Sequence, residues 1–361
     1  LDALSVIEHD GRAAGVRVSD RESGAELDVR AANVVNATGV WADRLAAPGS
    51  DAPPGAGAGA QEPAGESRHG QELPRIRPSR GAHVLLSTEN LPLLGGAIIP
   101  AGSGRTIFAL PWLGRTLVGT TDRDYEGELD HVRPSTEDVD YLLSAINEFF
   151  GTALTPQRLT GAFAGVRPLI SSGDPKKSVD ISRKAELYEA SSGMLTITGG
   201  KLTTWRRMAK LTVDRLVARD SRDAPCRTHE IPLGQAISAE DLPRVEGVPA
   251  ESYAALAGRY GHAAREVLAL AAERGELAQP IVPGLPDLLA EVALAARREQ
   301  ARSVGDIFLR RTRLGLLAAR ELPVQLVAGV LAGELGWDDA RTAREIEDFA
   351  GEALAEGIAP E

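Results

Sequence analysis

The spacing of apolar residues changes once along the chain, and that change limits the folds open to it. Beyond Pro225 apolar side chains recur at helical spacing over residues 250–258, 262–274, 286–302, 304–320, 322–335 and 338–356. Asp338 and Asp339 supply a cap for the last of these. Up to residue 198 most runs are short and strand-like. Residues 3–9, 15–20 and 25–30 alternate apolar and polar side chains, and Asp10-Gly11 and Ser23-Gly24 provide turns between them. These predict an antiparallel meander. A buried strand then runs into a glycine turn at Val34-Val35-Asn36-Ala37-Thr38-Gly39. Further strands are expected over 82–87, 105–110, 115–119, 159–166, 186–190 and 194–198. One helix interrupts them: Ser135 or Thr136 caps it, Val139, Leu142, Leu143, Ile146, Phe149 and Phe150 share a face, and Gly151 stops it. A second helix is expected over 202–218. The class is α/β (α+β), a mixed sheet with helices followed by an α-helical cap.

Residues 48–74 belong to none of this. Pro53 to Ala60 is low-complexity sequence that cannot bury a core, which predicts a flexible surface insertion. Gly55, Gly57 and Ala60 match a loose GxGxxA, but that fingerprint works only between a strand and a helix. Here prolines precede it and no helix pattern follows. The chain divides accordingly into 1–47, 48–74, 75–198, 199–222 and 223–361.

Charge and composition narrow the function. With 361 residues and a formal charge of −11, the chain lacks the basic balance of a nucleic-acid binder. Cys226 is its single cysteine, so no internal disulfide and no thiolate zinc site can form. The six histidines are scattered and suggest no metal site. No run is long and apolar enough to span a bilayer; residues 322–337 are interrupted by Gln325 and Glu334.

Three stretches and one histidine carry chemistry. In Thr198-Gly199-Gly200-Lys201-Leu202-Thr203-Thr204-Trp205 a strand meets two glycines and a helix begins. A helix start presents free N–H groups and the positive end of its dipole, which suits an anion such as the pyrimidine edge of a reduced flavin. In Ala164-Gly165-Val166-Arg167-Pro168-Leu169 an arginine ends an apolar strand. Its guanidinium can clamp a phosphate bidentately, or serve a structural ion pair. Arg183 is a second candidate for the same anion. Ala37-Thr38-Gly39 fits a close backbone approach to a dinucleotide, or simply a strand end. His83 stands in a strand as a candidate proton acceptor, or a hydrogen-bonding core residue.

Taken in order, these stretches resemble the FAD-dependent glycerol-3-phosphate dehydrogenases. The resemblance rests on residues 34–43 (VVNATGVWAD), 80–83 (RGAH), 117–122 (LVGTTD), 165–169 (GVRPL) and 199–206 (GGKLTTWR), and on Phe308-Leu309-Arg310-Arg311-Thr312-Arg313 in the helical tail. It implies oxidation of sn-glycerol 3-phosphate to dihydroxyacetone phosphate, with hydride transfer to FAD and electrons onward to membrane quinone. Arg167, with Arg183 near it, would bind the substrate phosphate. Lys201 would sit by flavin and substrate as a catalytic residue, beside the candidate His83 read above from its strand. Thr38 and Gly39 would line the dinucleotide, and Gly200, Leu202 and Thr203 would meet the flavin's pyrimidine edge. Residues 1–47 would then be part of the Rossmann-type FAD domain, 75–198 an antiparallel-sheet substrate domain, 199–222 the return to the FAD domain and 223–361 the cap. The resemblance also implies a homodimer in the cytoplasm, peripheral on the inner face of the cell membrane. A helix carrying Arg310–Arg313 with Leu309, Leu314, Leu316 and Leu317 fits an interfacial helix, but is read as an ordinary cap helix. The family opens with a strand–GxGxxG–helix unit that does not precede Leu1. The expectation is an N-terminally truncated sequence, colourless on its own. The alternatives are a related flavin oxidase using oxygen and a non-catalytic chain without FAD.

Overall fold

The computed structural model describes residues 1–45, 75–102, 104–171 and 184–360. The 48–74 stretch, with its GxGxxA match, and Arg183 lie outside the described residues.

Strands β1 (Asp2–His9), β2 (Arg12–Ser19) and β3 (Glu26–Arg30) form an antiparallel sheet in that order. The β1–β2 turn is Asp10-Gly11 with φ of 51° and 72°, the two positive values a type I′ hairpin requires. Arg17 on β2 pairs with Asp28 on β3 through two contacts of 2.8 and 3.2 Å. The chain continues through β4 (Val35–Asn36), β5 (Arg75–Ser87), β6 (Ala97–Pro100), β7 (Thr106–Trp112), β8 (Arg115–Gly119) and β9 (Arg123–Asp124). Helix α1 (Thr136–Phe150) begins in a capping box, where Ser135 and Asp138 each accept the other's backbone N–H at 3.2 Å. It ends at Gly151 in the left-handed conformation. Then come β10 (Leu159–Ser171), β11 (Glu186–Glu189), β12 (Leu195–Thr198) and α2 (Trp205–Arg219). The remainder is helical: α3 (Ala250–Tyr260), α4 (Ala264–Glu273), α5 (Leu289–Arg298), α6 (Leu314–Leu317), α7 (Val324–Leu335) and α8 (Asp339–Glu356).

Two compact units interleave along this order. The first holds Leu1–Arg80, Asp122–Leu129 and Val166–Ile231; the second holds Gly81–Thr121, Asp130–Gly165 and Pro232–Glu361. Strands β5 and β10 each contribute residues to both. The first unit carries the meander and a three-stranded sheet of order β11-β12-β4, antiparallel at β11–β12 and parallel at β12–β4.

The second unit carries the antiparallel part of the sheet of order β10-β5-β8-β7-β6. Val84, Leu86, Ile99, Ile107, Ala109 and Val118 on one face pack against Val139, Leu142 and Ile146 of α1. That alternation is why α1 shows one apolar face. The helical region belongs to the same unit. Its core is α5, buried at every position from Leu289 to Ala296 and packed on α4 and α7. An alanine-rich α5 lets those neighbours approach closely. The tail is fastened to β10 by Ala162 N–H to Ile358 O and Ala319 N–H to Thr160 O, both 2.9 Å. Arg115 donates twice to Leu317 O, at 3.1 and 3.0 Å.

Residues 304–320 do not form the single helix that periodicity predicts. A π-helical turn over Asp306–Arg311 ends where Thr312 turns both its N–H and its hydroxyl onto Ile307 O, each at 2.8 Å. Leu314 and Leu317 face the protein interior, Arg310 pairs with Asp306 and Glu352, and Arg311 donates to Glu299 O. The segment thus packs into the helical cap. Among the described residues, no helix is long and apolar enough to cross a membrane.

Candidate functional site

In the first unit, β4 and β12 run parallel, with Leu195 opposite Val35 and Thr196 opposite Asn36. All four residues of β12 are buried. The Ala-Thr-Gly turn that follows β4 is held by Asn36, which is 1% exposed. Its Nδ2 donates to Ala42 O at 2.8 Å, and its Oδ1 accepts from the Thr38 hydroxyl at 2.7 Å and the Thr38 N–H at 3.2 Å. The Thr38 hydroxyl proton therefore goes to Asn36. What Thr38 presents to a ligand is an acceptor oxygen. Gly39 has φ of 64°, and among the described residues a Cβ built on it would meet nothing within 4 Å. Thr198 at the end of β12 donates to Gly39 O at 3.4 Å, which brings the two glycine turns side by side.

Gly199 and Gly200 follow, with φ of 72° and 73°. A Cβ on Gly199 would lie 2.7 Å from Ile170 Cδ1 and from Lys184 O. One on Gly200 would lie 2.5 Å from Met208 Sδ. The backbone threads between β10 and α2, and only glycine fits. Leu202–Thr204 then form a 3₁₀ turn before α2, closed by Thr204 N–H to Lys201 O at 2.9 Å. The expected helix start is thus displaced by one short turn. Lys201, Leu202 and Thr203 are exposed there, Leu202 at 89%.

Arg167 lies on β10, a quarter exposed. Its Nη1 stands 3.4 Å from Asp122 Oδ1, and the same oxygen accepts the Ser79 hydroxyl. Of the two readings of Arg167, the structure shows the ion pair. Arg77 pairs with Asp124 at 2.7 Å, and the Arg80 guanidinium lies 5.5 Å from the centre of the Tyr125 ring. β5 and β9 thus carry their own arginine contacts, while Asp122 in the β8–β9 connection meets Arg167.

His83 belongs to the second unit. Its ring stacks on Phe163 with centroids 4.7 Å apart and planes 4° from parallel. On the neighbouring strand it faces Gly119. The first unit gathers Thr38, Gly39, Arg167, Gly200, Lys201, Leu202 and Thr203. Asn36, Ser79 and Asp122 were missed as site residues. Asp122 closes the LVGTTD run, but its distance in sequence from Arg167 gave no local signal. Among the described residues, no cluster of three or more His, Cys, Asp or Glu could hold a metal ion.

A parallel strand pair with glycine turns side by side, joined to an antiparallel sheet and a helical cap, is the arrangement of a flavin-dependent oxidoreductase. Residues 2–215 match the model of the FAD dependent oxidoreductase family, and the chain belongs to that family. Residues 226–342 match the C-terminal domain of alpha-glycerophosphate oxidase. Glycerol-3-phosphate dehydrogenase 2 of Mycobacterium tuberculosis (strain ATCC 25618 / H37Rv) is 32% identical over 368 residues, covering 98% of this chain and 58% of the relative. Aerobic glycerol-3-phosphate dehydrogenase of Bacillus subtilis (strain 168) is 32% identical over 321 residues, covering 84% of this chain and 54% of the relative. The solved structure of the glycerol-3-phosphate dehydrogenase from Bacillus halodurans complexed with FAD aligns with a TM-score of 0.80 at 28% identity. That alignment covers 98% of this chain and 68% of the other. The chain spans little more than half the length of these curated relatives.

Proposed function

We propose that the protein to which this chain belongs oxidises sn-glycerol 3-phosphate to dihydroxyacetone phosphate with FAD as its cofactor. The observation that carries this reading is the succession of two matches in one chain, the flavin oxidoreductase model followed by the glycerophosphate-oxidase C-terminal model. The second match favours a phosphorylated substrate over an amino acid.

The residues present fit the cofactor. Among the described residues nothing stands against Gly39 where a side chain would be, and the turn at Gly199–Gly200 leads to exposed residues at the start of α2. Thr38, Gly39, Gly200, Leu202 and Thr203 would hold the flavin. When bound, FAD supplies the two-electron acceptor for the hydride from C2 of the substrate. Arg167 binds the substrate phosphate, with Arg183 as a second cation for it. Lys201 adds positive charge by the flavin and substrate and steadies negative charge as it develops. His83 takes the proton of the C2 hydroxyl as the C–H bond breaks. Electrons then pass to membrane quinone, in a homodimeric enzyme on the cytoplasmic face of the cell membrane.

The test is dye reduction by the flavin-loaded holoenzyme with glycerol 3-phosphate. Arg167→Ala is expected to raise KM by about 10²-fold, the loss of a charge-assisted bidentate contact worth roughly 3 kcal/mol. An unchanged KM would remove Arg167 from the phosphate site. A second reading, oxygen as acceptor, is favoured by the oxidase named in the C-terminal match. Stoichiometric hydrogen peroxide during turnover in air would establish it.

A further inference from the structure

The sheet of the second unit places His83 in one cross-strand row. His83 on β5 pairs with Gly119 on β8, and Gly119 pairs with Phe108 on β7. Phe163 stands on β10, the other neighbour of β5. The imidazole is therefore flanked from both sides of its strand. On one side lies the Phe163 ring, nearly parallel at 4.7 Å. On the other lies Gly119, where an added Cβ would overlap the imidazole itself. Any other residue at 119 would push the ring out of place. Gly119 needs no left-handed backbone, since its φ is not among the positive values, so its requirement is room and not conformation.

From this geometry we propose that Phe163 and Gly119 are positioning residues for His83, forming a flat slot that fixes the plane of its ring. The proposal rests on the reading of His83 as the proton acceptor. A histidine on an open strand turns about two side-chain torsions, and its ring torsion is broad. A slot closed on both faces removes that freedom; Nδ1 is buried, so the Nε2 side of the ring edge is the part the slot orients. General-base catalysis contributes about 10²–10⁴-fold and depends on the nitrogen lying within hydrogen-bond reach of the proton. A ring held in one plane meets that condition without reorganising at each turnover. The slot also gives the LVGTTD run a purpose that Asp122 alone does not: its glycine makes the space that the histidine fills.

The test combines the holoenzyme's kinetics with nuclear magnetic resonance of the protein labelled with ¹³C-histidine. In the wild type the ring C–H signals of His83, assigned by their loss in His83→Gln, should be shifted upfield by the stacked Phe163. Phe163→Leu should abolish that shift and lower kcat by about tenfold or more, with KM for glycerol 3-phosphate changed less than about twofold. Phe163→Tyr, which keeps the stack, should restore both. Gly119→Ala should act like Phe163→Leu; if it does not fold, the Phe163 pair decides the matter alone. A wild-type kcat in Phe163→Leu, or unshifted His83 signals in the wild type, would overturn the slot. If His83→Gln keeps full kcat while the wild-type shift is present, the stack is real but serves no proton acceptor, and the proposed role fails with that reading.

Discussion

Asn36 is the residue on which the Ala-Thr-Gly turn depends. It is almost fully buried, yet both ends of its amide are engaged, by Ala42 O on one side and Thr38 on the other. Buried amides left unpaired cost about 1–3 kcal/mol, so Asn36→Leu should lower the unfolding free energy by that order, measurable in urea. The dinucleotide reading looked past Asn36 to the threonine, because an asparagine in an apolar run carries no label of what it pins. Arg167 shows the same limit differently. Its apolar strand and following proline made it stand out, but Asp122 and Ser79 become its neighbours only through the sheet. Arg167→Lys should bind the substrate phosphate less well than arginine and better than alanine, because an ammonium keeps the charge and loses the fork. An equal KM for the lysine and alanine variants would mean that charge at this position does not matter.

At the scale of elements, Gly199 and Gly200 are the most constrained point. Gly199→Ala would combine a positive φ with a Cβ 2.7 Å from the Lys184 carbonyl. A loss of more than about 1 kcal/mol in stability is expected, together with weaker retention of flavin by the holoenzyme. Unaltered stability and flavin content would show that the turn yields. Paired glycines between a strand and a helix are legible without a structure, and so was α1, since a capping box, one apolar face and a glycine stop all agree. Less legible was β6, four residues long beside Gly95 and Gly96, too short for alternation to register. Residues 304–320 failed for another reason. Their period is helical, but Thr312 diverts the hydrogen bonds, and Gly315 packs against the Phe308 carbonyl. Periodicity reports which side chains are buried and not which carbonyls lose their helical partners.

At the scale of the molecule, the two units alternate along the chain, which a linear reading cannot display. Burial in the cap does something the sequence also hides. Glu291 on α5 lies in the interior with Arg259, Asp287 and Tyr260 around it. Burial, with Asp287 adding to it and Arg259 opposing it, pushes its carboxyl up to about 7. The folded state then holds a proton between roughly pH 4.5 and 7 that the unfolded chain has released, so stability should fall as pH rises through that window. Glu291→Gln should flatten this part of the profile of Tm against pH; a slope identical to wild type would assign the dependence to other groups.

The proposed oxidation of glycerol 3-phosphate on this flavoprotein frame has a direct optical readout. The measurement that tests it most directly is anaerobic mixing of the flavin-loaded holoenzyme with sn-glycerol 3-phosphate, followed by the flavin's visible absorbance. Rapid bleaching that saturates with substrate is expected, and an Arg167→Ala variant should bleach only at far higher concentration. Bleaching by an amino acid or by unphosphorylated glycerol, with glycerol 3-phosphate inert, would contradict it.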